Sequence, residues 1–352
     1  MKTTIFDVAK SAGVSPSAVS NVLNNKPGAR INEKTRQRIL KAARELNYQP
    51  NFAARSFVLQ KSFNIGIVVC RSNEYSPFLN FSFAYHILQG IQDVIKDHFY
   101  NMPLFLTTNL KEFDYKTLFE KKRVDGLILV QTVNSDLQIL EADRNIREYP
   151  IIATNNHLEG GQVHYVDVDN QSGIFQAMDH LVKLGYRRIG FINGTLDQSN
   201  FVERGGAYKL ALENHGFRLD SELIYENPPD YAQVADKWSA SGKYPEAIIA
   251  ANDGIAIGII KALNDCGLSV PEDIAVVGFD DVETAAHFHP PLTTVRQPMD
   301  KIGSIAAEEI IKMLKDKNRL RKQVQAIVRP ELIIRESCGA TLRSERLLQN
   351  RR

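Results

Sequence analysis

The stretch GVSPSAVSNVLNN, residues 13–25, constrains the fold more than any other segment of this 352-residue chain. Pro16 has no amide hydrogen and a φ that is already helical, so it suits the first position of a helix with Ser15 as its N-cap. At 100° per residue, one arc of this helix is apolar and the other is small and polar. The apolar arc holds Ala18, Val19, Val22 and Leu23, and the polar arc holds Pro16, Ser17, Ser20, Asn21 and Asn24. The pattern predicts a helix that docks by one side and admits a bulky partner on the other.

Two more short helices are predicted around this one. TTIFDVAKSAGV begins with a capping-box pattern at Thr4 and Asp7 and stops at Gly13, a left-handed C-cap. NEKTRQRILKAARELNY predicts a third helix capped by Asn32. A short Gly-containing turn between the first two helices is typical of a helix-turn-helix, whose second helix enters the major groove of DNA.

Charge and side-chain size favour DNA as the partner of this head. Residues 1–61 hold eleven Lys or Arg and three acidic residues, a balance of +8, so the rest of the chain carries −6 of the overall +2. Short side chains at Ser17, Ser20 and Asn21 would let the helix lie deep in the groove. There an Asn side chain can form two hydrogen bonds to adenine, and a Ser hydroxyl can form hydrogen bonds to several bases. An unrelated three-helix bundle would show the same periodicity without this charge.

Residues 48–63, YQPNFAARSFVLQKSF, connect the head to the rest of the chain. Pro50 ends the preceding helix, and Asn51 is placed to cap a brief helix in which Ala53 and Ala54 would let two copies approach closely. Fewer than ten residues do not form a stable helix alone, so a plain linker is the alternative interpretation.

From residue 64 the pattern becomes a strand–helix alternation. NIGIVV, MPLFLT, VDGLILV and PIIAT are short apolar runs typical of parallel strands, and the series restarts with RRIGFIN, EAIIAA and DIAVVGF. Two successive sheets predict two lobes with a cleft between them. The predicted fold is therefore an all-α helix-turn-helix head on an α/β body with two lobes, each a doubly wound parallel sheet.

Polar residues follow the second-lobe strands, where ligands of such sheets bind: Asn193, Arg204, Asn252 and Asp280. Asp253 and Asp281 precede helical runs, so helix capping is predicted for both. Cys70, Cys266 and Cys338 are too widely spaced for a disulfide framework or metal pattern, and no cofactor is predicted. No apolar run of about 18 residues or secretory h-region is present, so we expect a cytoplasmic protein. Phosphate-binding Gly-rich loops and nucleophile–base motifs are also absent, which argues against an enzyme.

Several of these segments resemble the lactose/galactose repressor family. The head segments are FDVAKSAGVSPSAVSNVLN, TRQRILKAARELNYQPN and ARSF, and the body segments include HLVKLGYRRIGFING, AIIAANDGIAIG, DIAVVGFDD and PPLTTVRQP. They occur in the family's order along nearly the whole chain. The resemblance implies a ligand-responsive transcription regulator, acting as a homodimer on a pseudo-palindromic operator, with a body like that of periplasmic binding proteins.

The resemblance assigns DNA contacts to the head and the connecting segment. In the family the connecting segment folds against the operator and a Leu wedges into the minor groove; Phe57 stands at that position here, and Ala18 stands where Thr is usual. The implied DNA-binding set is Thr4, Ser15, Pro16, Ser17, Ser20, Asn21, Asn24, Asn51, Ala53, Ala54 and Phe57.

The resemblance also assigns effector contacts to the cleft. Arg204, Asp280, Asn252 and Asp169 match family positions that hold the effector. EYSPF resembles a family loop whose aromatic residues stack on the ligand, which makes Tyr75 and Phe78 candidates, although both also suit a lobe core. Asn155 stands where many relatives have Asp, so the sugar preference of those relatives does not carry over to this chain. We therefore expect a carbohydrate effector without specifying which one.

The expected boundaries follow from these assignments. The head spans 1–49, the hinge 50–63 and the body 64–338, with a basic tail at 339–352 too short for a tetramer-forming coiled coil. Lobe 1 is expected at about 64–165 and 294–321, and lobe 2 at about 166–293 and 322–338. The competing hypothesis is a sugar- or nucleoside-binding module with no DNA function.

Overall fold

The computed structural model describes residues 3–23, 31–48, 56, 59–70 and 77–342, with side chains left undescribed at 77–83 and 317. The chain divides into two compact units, residues 1–62 and 63–352. None of the helices within the described residues combines the length and apolar character needed to span a bilayer.

Within its described residues, the first unit includes the helices α1 (Ile5–Ala12), α2 (Pro16–Leu23) and α3 (Glu33–Glu45). The N-caps of α1 and α3 follow the sequence prediction, since Thr4 and Asp7 form a capping box and the Asn32 side chain accepts from the Thr35 amide. Gly13 has a left-handed φ of 61°, which Gly adopts without a Cβ penalty. The helices share one small core, built from Val8, Ala9, Ala12, Val19, Val22, Ile39, Ala42 and Ala43.

Lobe 1 is a six-stranded parallel sheet with helices on its faces. Its strands are β1 (Ile65–Cys70), β2 (Leu104–Thr107), β3 (Gly126–Val130), β4 (Ile151–Thr154), β5 (His164–Val168) and β11 (Gln325–Val328). Its helices are α4 (Pro77–Ile95), α5 (Tyr115–Glu120), α6 (Asn134–Glu141) and α12 (Met299–Lys315). The strand order is β11-β5-β4-β3-β1-β2.

Lobe 2 repeats this plan. Its strands are β6 (Ile189–Asn193), β7 (Ile224–Glu226), β8 (Ala247–Ala250), β9 (Ala275–Asp280), β10 (Thr293–Arg296) and β12 (Glu331–Ile333). Its helices are α7 (Asn170–Lys183), α8 (Ser199–Asn214), α9 (Tyr231–Ser241), α10 (Asp253–Asp265) and α11 (Glu283–His287). The order β12-β10-β9-β8-β6-β7 matches lobe 1 strand by strand, except that β12 is antiparallel to its neighbour. The predicted two-lobed α/β body is confirmed.

The chain crosses between the lobes three times: after β5, after β10, and between β11 and β12. The third crossing corrects the sequence-based boundaries, because Gln325–Val328 pairs in parallel with His164–Val168 in the first sheet. Residues 322–328 therefore belong to lobe 1 rather than lobe 2. The second crossing needs a smaller correction, since Thr293–Arg296 is a strand of the lobe 2 sheet. Four-residue strands such as Gln325–Val328 and Thr293–Arg296 carry no sequence signal that says which sheet they will join.

Two glycines allow α4 and α12 to pack at close range. A Cβ on Gly90 would lie 1.8 Å from the Asp300 carbonyl oxygen, and one on Gly303 would lie 2.1 Å from the Ile87 carbonyl oxygen. The Ser304 hydroxyl donates to the Gly90 carbonyl at 3.1 Å across the same contact. This contact fastens the returning helix Met299–Lys315 to lobe 1.

Candidate nucleic-acid interface and ligand cleft

The second helix of the head presents its polar arc away from the small core. Val19 and Val22 are buried, whereas Ser17 is exposed and Ser20 and Asn21 are half-buried. The Ser15 hydroxyl accepts from the Ala18 amide at 3.2 Å and lies 2.9 Å from the Ser17 hydroxyl, so Ser15 is the cap that the sequence predicts. Side chains on this face are short, and a groove wall can therefore come close to the helix axis.

Some predicted site residues lie outside the part of the chain that the structure describes. For DNA these are Asn24, Asn51, Ala53, Ala54 and Phe57, and for the effector Tyr75. Phe78 lies on α4 by its backbone, but its side chain is outside the described set. These assignments stay predictions.

Arg204, on helix Ser199–Asn214 of lobe 2, is one of the predicted effector residues. Its side chain is only 1% exposed, although it carries a full charge. Nε donates to Asn170 Oδ1 at 2.8 Å, Nη1 donates to the Ala251 carbonyl at 2.6 Å, and the guanidinium carbon lies 3.7 Å from the centre of the Phe279 ring. Nη2 has no hydrogen-bond partner among the residues that the structure describes. Burial lowers the pKa of Arg204, and the nearby carboxylates, led by Asp280, oppose that change.

Asp280 connects Arg204 to the opposite lobe. Its Oδ1 lies 3.6 Å from Arg204 Nη1 and accepts from Gln297 Nε2 at 2.5 Å. Gln297 Oε1 in turn accepts from Asn155 Nδ2 of lobe 1 at 2.8 Å, while Asn155 Oδ1 is buried and has no partner in the described part of the chain. Burial raises the pKa of Asp280 to about 6, with Arg204 and Gln297 acting against it. The contact between the lobes thus holds a buried donor and a buried acceptor that no described residue pairs.

The other two predicted effector residues are helix caps. Asp169 accepts from the Ser172 amide at the start of α7, and Asn252 accepts from the Ile255 amide at the start of α10. Each therefore stands at the cleft edge of lobe 2 with one side-chain oxygen already engaged.

Two capping predictions were wrong. Asp253 is buried and accepts from the Val282 amide and the Thr294 hydroxyl, because the preceding Asn252 already occupies the N-cap position. Asp281 instead pairs with Arg296 and Arg335 at 2.7 Å each. Burial, reinforced by the charge of Asp280, raises the pKa of Asp253 well above its ordinary value.

A second polar cluster in the cleft was missed by the sequence reasoning. His157 lies between Asp167 and Glu203, and Glu203 accepts from Asn170. A lone His in TNNHLEG matches no short motif, so no local signal marks it. Its partners are 10 and 46 residues away and meet only when the lobes are formed.

Metal ligation gains no support from the geometry. Among the described residues, no group of three or more His, Cys, Asp or Glu side chains is placed to hold a metal ion. Within this set, His287 ends the short helix α11 and His289 follows it in a loop.

The architecture defines a class of protein: a helix-turn-helix unit followed along the chain by a two-lobed α/β body with a polar cleft. Residues 4–51 match the model of bacterial regulatory proteins of the lacI family, and residues 178–338 match that of the periplasmic binding protein-like domain. The chain belongs to the lacI family of bacterial regulatory proteins. The resemblance seen in the sequence is thereby confirmed.

Named relatives cover nearly the whole chain. It is 33% identical over 345 residues to the HTH-type transcriptional regulator RegA of Clostridium saccharobutylicum, covering 96% of this chain and 99% of the relative. It is 31% identical over 339 residues to the HTH-type transcriptional repressor PurR of Photobacterium profundum, covering 95% and 98%. These relatives are transcription regulators, and this protein is a DNA-binding transcription regulator rather than an enzyme.

Solved structures share the fold. A transcriptional regulator CelR–cellobiose complex superimposes with a TM-score of 0.68 and 27% identity, covering 96% of this chain and 100% of the other. A lac repressor dimer bound to operator and the anti-inducer ONPF gives a TM-score of 0.76 at 24% identity, covering 97% and 100%. The second likeness concerns the fold alone.

Proposed function

We propose that this regulator is a repressor that binds a pseudo-palindromic operator as a homodimer in the cytoplasm and responds to a small carbohydrate held between its lobes. The observation that carries the ligand assignment is the unpaired Nη2 of the buried Arg204 beside Asp280. An unpaired buried donor costs free energy, which a ligand oxygen would recover on binding.

The chemistry of the cleft favours a polyhydroxyl ligand. Arg204 Nη2 needs an acceptor and Asn155 Oδ1 needs a donor, and a hydroxyl group supplies both. Related support comes from the CelR structure, which holds cellobiose. The proposed effector contacts are Tyr75, Phe78, Asp169, Arg204, Asn252 and Asp280.

DNA contact is assigned to the exposed face of the head. Phosphate contacts fix the register on the duplex, and base edges carry the sequence information. Asn21 is the proposed base reader, and Phe57 the proposed wedge at the operator centre. The remaining proposed contacts are Thr4, Ser15, Pro16, Ser17, Ser20, Asn24, Asn51, Ala53 and Ala54.

Dimer formation is supported by an edge of lobe 1. β2 is the last strand of its sheet, and Leu104 and Leu106 on it are 52% and 59% exposed. Exposed apolar side chains on an open strand edge favour association with another chain. Two heads would then read two half-sites, and a change in lobe closure would couple ligand to DNA reciprocally.

The effector assignment is tested by a thermal-shift screen. Mono- and disaccharides, cellobiose included, are compared with purines and nucleosides; a ligand at about 100 times its Kd should stabilise by about 2.7 kcal/mol. Arg204→Lys keeps the charge but loses the fork of donors, so it should abolish the shift, whereas the exposed Arg187→Lys should keep it. A purine or nucleoside hit with no sugar hit contradicts the carbohydrate assignment, and a normal response of Arg204→Lys removes Arg204 from the site.

The DNA assignment is tested on an operator selected from random duplexes by the intact protein. Asn21→Ala should lose about 1–3 kcal/mol of binding free energy at one half-site position. Equal losses on operator and random duplex would make Asn21 a backbone contact. Failure of the intact protein to retain any duplex would favour the binding-module hypothesis instead.

A further inference from the structure

His157 joins the two lobes through both nitrogens of its ring. Nδ1 lies 3.0 Å from Asp167 Oδ2 on strand His164–Val168 of lobe 1, and Nε2 lies 3.1 Å from Glu203 Oε1 on helix Ser199–Asn214 of lobe 2. The ring also stacks on Tyr165 of lobe 1, with centroids 4.3 Å apart and an interplanar angle of 10°. The imidazole is thus held rigidly by lobe 1 and presented to one carboxylate of lobe 2.

The charges around the ring favour its protonated form. Asp167 is fully buried, Glu203 is partly buried, and Tyr165 is the remaining titratable neighbour; Arg204 lies behind Glu203. Burial opposes a charge on the ring, but the hydrogen bonds to Asp167 and Glu203 outweigh it and raise the pKa of His157 to about 9. Burial also disfavours the charge on Glu203, yet the bonds from His157 and Asn170 prevail and lower the pKa of that carboxyl group.

The bridge that His157 forms between Asp167 and Glu203 continues through hydrogen bonds to Arg204 in the proposed effector site. Glu203 Oε2 accepts from Asn170 Nδ2 at 2.8 Å, and Asn170 Oδ1 accepts from Arg204 Nε at 2.8 Å. With both oxygens of Glu203 engaged, the Asn170 amide has one orientation, and its oxygen faces Arg204. Asp167 and Asn170 flank the first crossing between the lobes, so the bridge spans the segment about which the lobes would turn.

We propose that His157 is a positioning residue that holds lobe 1 against lobe 2 and, through Glu203 and Asn170, orients the Arg204 guanidinium toward the effector. The orienting role rests on the proposed effector site, whereas the lobe contact stands independently of it. His157 touches neither reacting groups nor DNA in this role. It sets how readily the cleft closes and how Arg204 is aimed when it does.

The proposal implies a pH dependence of closure with a definite sign. The closed form, in which Glu203 also contacts the ring, binds the His157 proton more tightly than a form in which the lobes have separated, so this contribution to closure is present at neutral pH and is lost as pH rises through about 9. Glu203 contributes in the opposite pH range. Because its pKa is lowered, its contribution to closure is complete at pH values above the ordinary pKa of Glu and is lost in acid. Closure should therefore weaken on going from neutral to alkaline pH.

Backbone amides that donate across the cleft report closure directly. Asn134 and Ser135 of lobe 1 donate to Asp197, the His157 amide donates to the Ser199 hydroxyl, and the Ser199 amide donates to Asn156 Oδ1. Hydrogen–deuterium exchange of the full-length protein, without DNA or effector, measures the protection of these amides. Rates are corrected for the intrinsic pH dependence of exchange.

His157→Gln should lower this protection about tenfold or more at neutral pH, the change expected when a charged hydrogen bond is lost. Its pH profile should be flat, whereas that of the wild type should fall toward pH 9. Glu203→Gln, made from the opposite lobe, should lower the protection as well. His215→Gln is the matched control, because His215 pairs with Asp179 at 2.7 Å entirely inside lobe 2; it should behave as the wild type.

The proposal would be overturned if both His157→Gln and Glu203→Gln kept the wild-type protection of these amides and the wild-type fall in protection toward pH 9. If His157→Gln fails to fold, Glu203→Gln decides, since an unchanged profile there excludes the lobe contact. No ligand enters the measurement, so failure of the bridge leaves the sugar screen untouched. Conversely, a screen without hits leaves the bridge standing.

Discussion

The two lobes have the same strand order and different chemistry at the ends of their strands. β4 of lobe 1 and β9 of lobe 2 occupy equivalent places, and they end in Thr154 and Asp280. Thr154 is fully buried and satisfies the Leu129 carbonyl at 2.9 Å, whereas Asp280 needs Arg204 and Gln297. At this pair of strand ends, lobe 2 therefore carries a charged residue where lobe 1 carries a neutral one.

The difference shows that the fold alone does not require those charges. Lobe 1 builds the same sheet without a guanidinium at its centre, and buried ion pairs are rarely worth more than apolar packing. The proposed ligand site accounts for Arg204 and Asp280 at this place in lobe 2.

The largest expected effect is that of Arg204→Ala on stability. Removing the guanidinium leaves Asp280, whose side chain is only 13% exposed, without its counter-charge, which should cost about 3–5 kcal/mol in the free energy of unfolding, measured by urea denaturation. Arg204→Ala combined with Asp280→Asn should lose less than Arg204→Ala alone. Arg187→Ala, an exposed change in the same lobe, should cost about 1 kcal/mol or less. Equal losses from Arg204→Ala and Arg187→Ala would mean that the lobe 2 charges are solvated and the contrast between the lobes is false.

A smaller effect is expected from pH. The pKa of Asp280 is raised by burial to about 6, so the native state holds a proton that the unfolded chain has released, and stability falls as pH rises from about 4 to 6. Asp280→Asn removes that contribution. The stability of Asp280→Asn relative to the wild type should therefore rise by about 2–3 kcal/mol across this interval. Thr154→Val in lobe 1 serves as the control, with a pH profile parallel to that of the wild type; a parallel profile for Asp280→Asn would refute the prediction.

The smallest effect is expected at the equivalent position of lobe 1. Thr154→Val preserves volume and removes one neutral hydrogen bond to the Leu129 carbonyl, which should cost about 0.5–1.5 kcal/mol in denaturation experiments. Thr154→Ser, which keeps the hydroxyl, is its control. A loss as large as that of Arg204→Ala would show that both lobes depend on polar strand ends to the same degree.

Part of the cleft was predictable because it depends on local sequence patterns. Apolar runs of five or six residues predict parallel strands, and a polar residue after such a strand lies at the ligand-binding edge of the sheet. Arg204, Asn252 and Asp280 became candidate effector residues in this way and through the family resemblance, and they stay predictions. The hydrogen bonds that engage them were not predictable, since Arg204 meets Asn170 and Ala251, which are 34 and 47 residues away.

Asp253 illustrates why the remainder was not predictable. An Asp at the start of a helical run predicts a cap, but Asn252 takes the cap and Asp253 turns inward to Thr294 and Val282. A Cβ on Gly278 would lie 2.3 Å from Asp253 Oδ1, so that inward position depends on a glycine in a neighbouring strand. Neither partner is visible within the helix itself.

The sequence by itself determined the helix-turn-helix head, the two-lobed body and the family, because caps, turns and apolar periodicity act between residues close in the chain. The tertiary structure alone decided which sheet holds Gln325–Val328, which Asp residues are buried and that His157 bridges the lobes. Those outcomes depend on contacts between segments tens to hundreds of residues apart. Burial then shifts the pKa of each ionisable side chain, and the local sequence does not specify which side chains are buried.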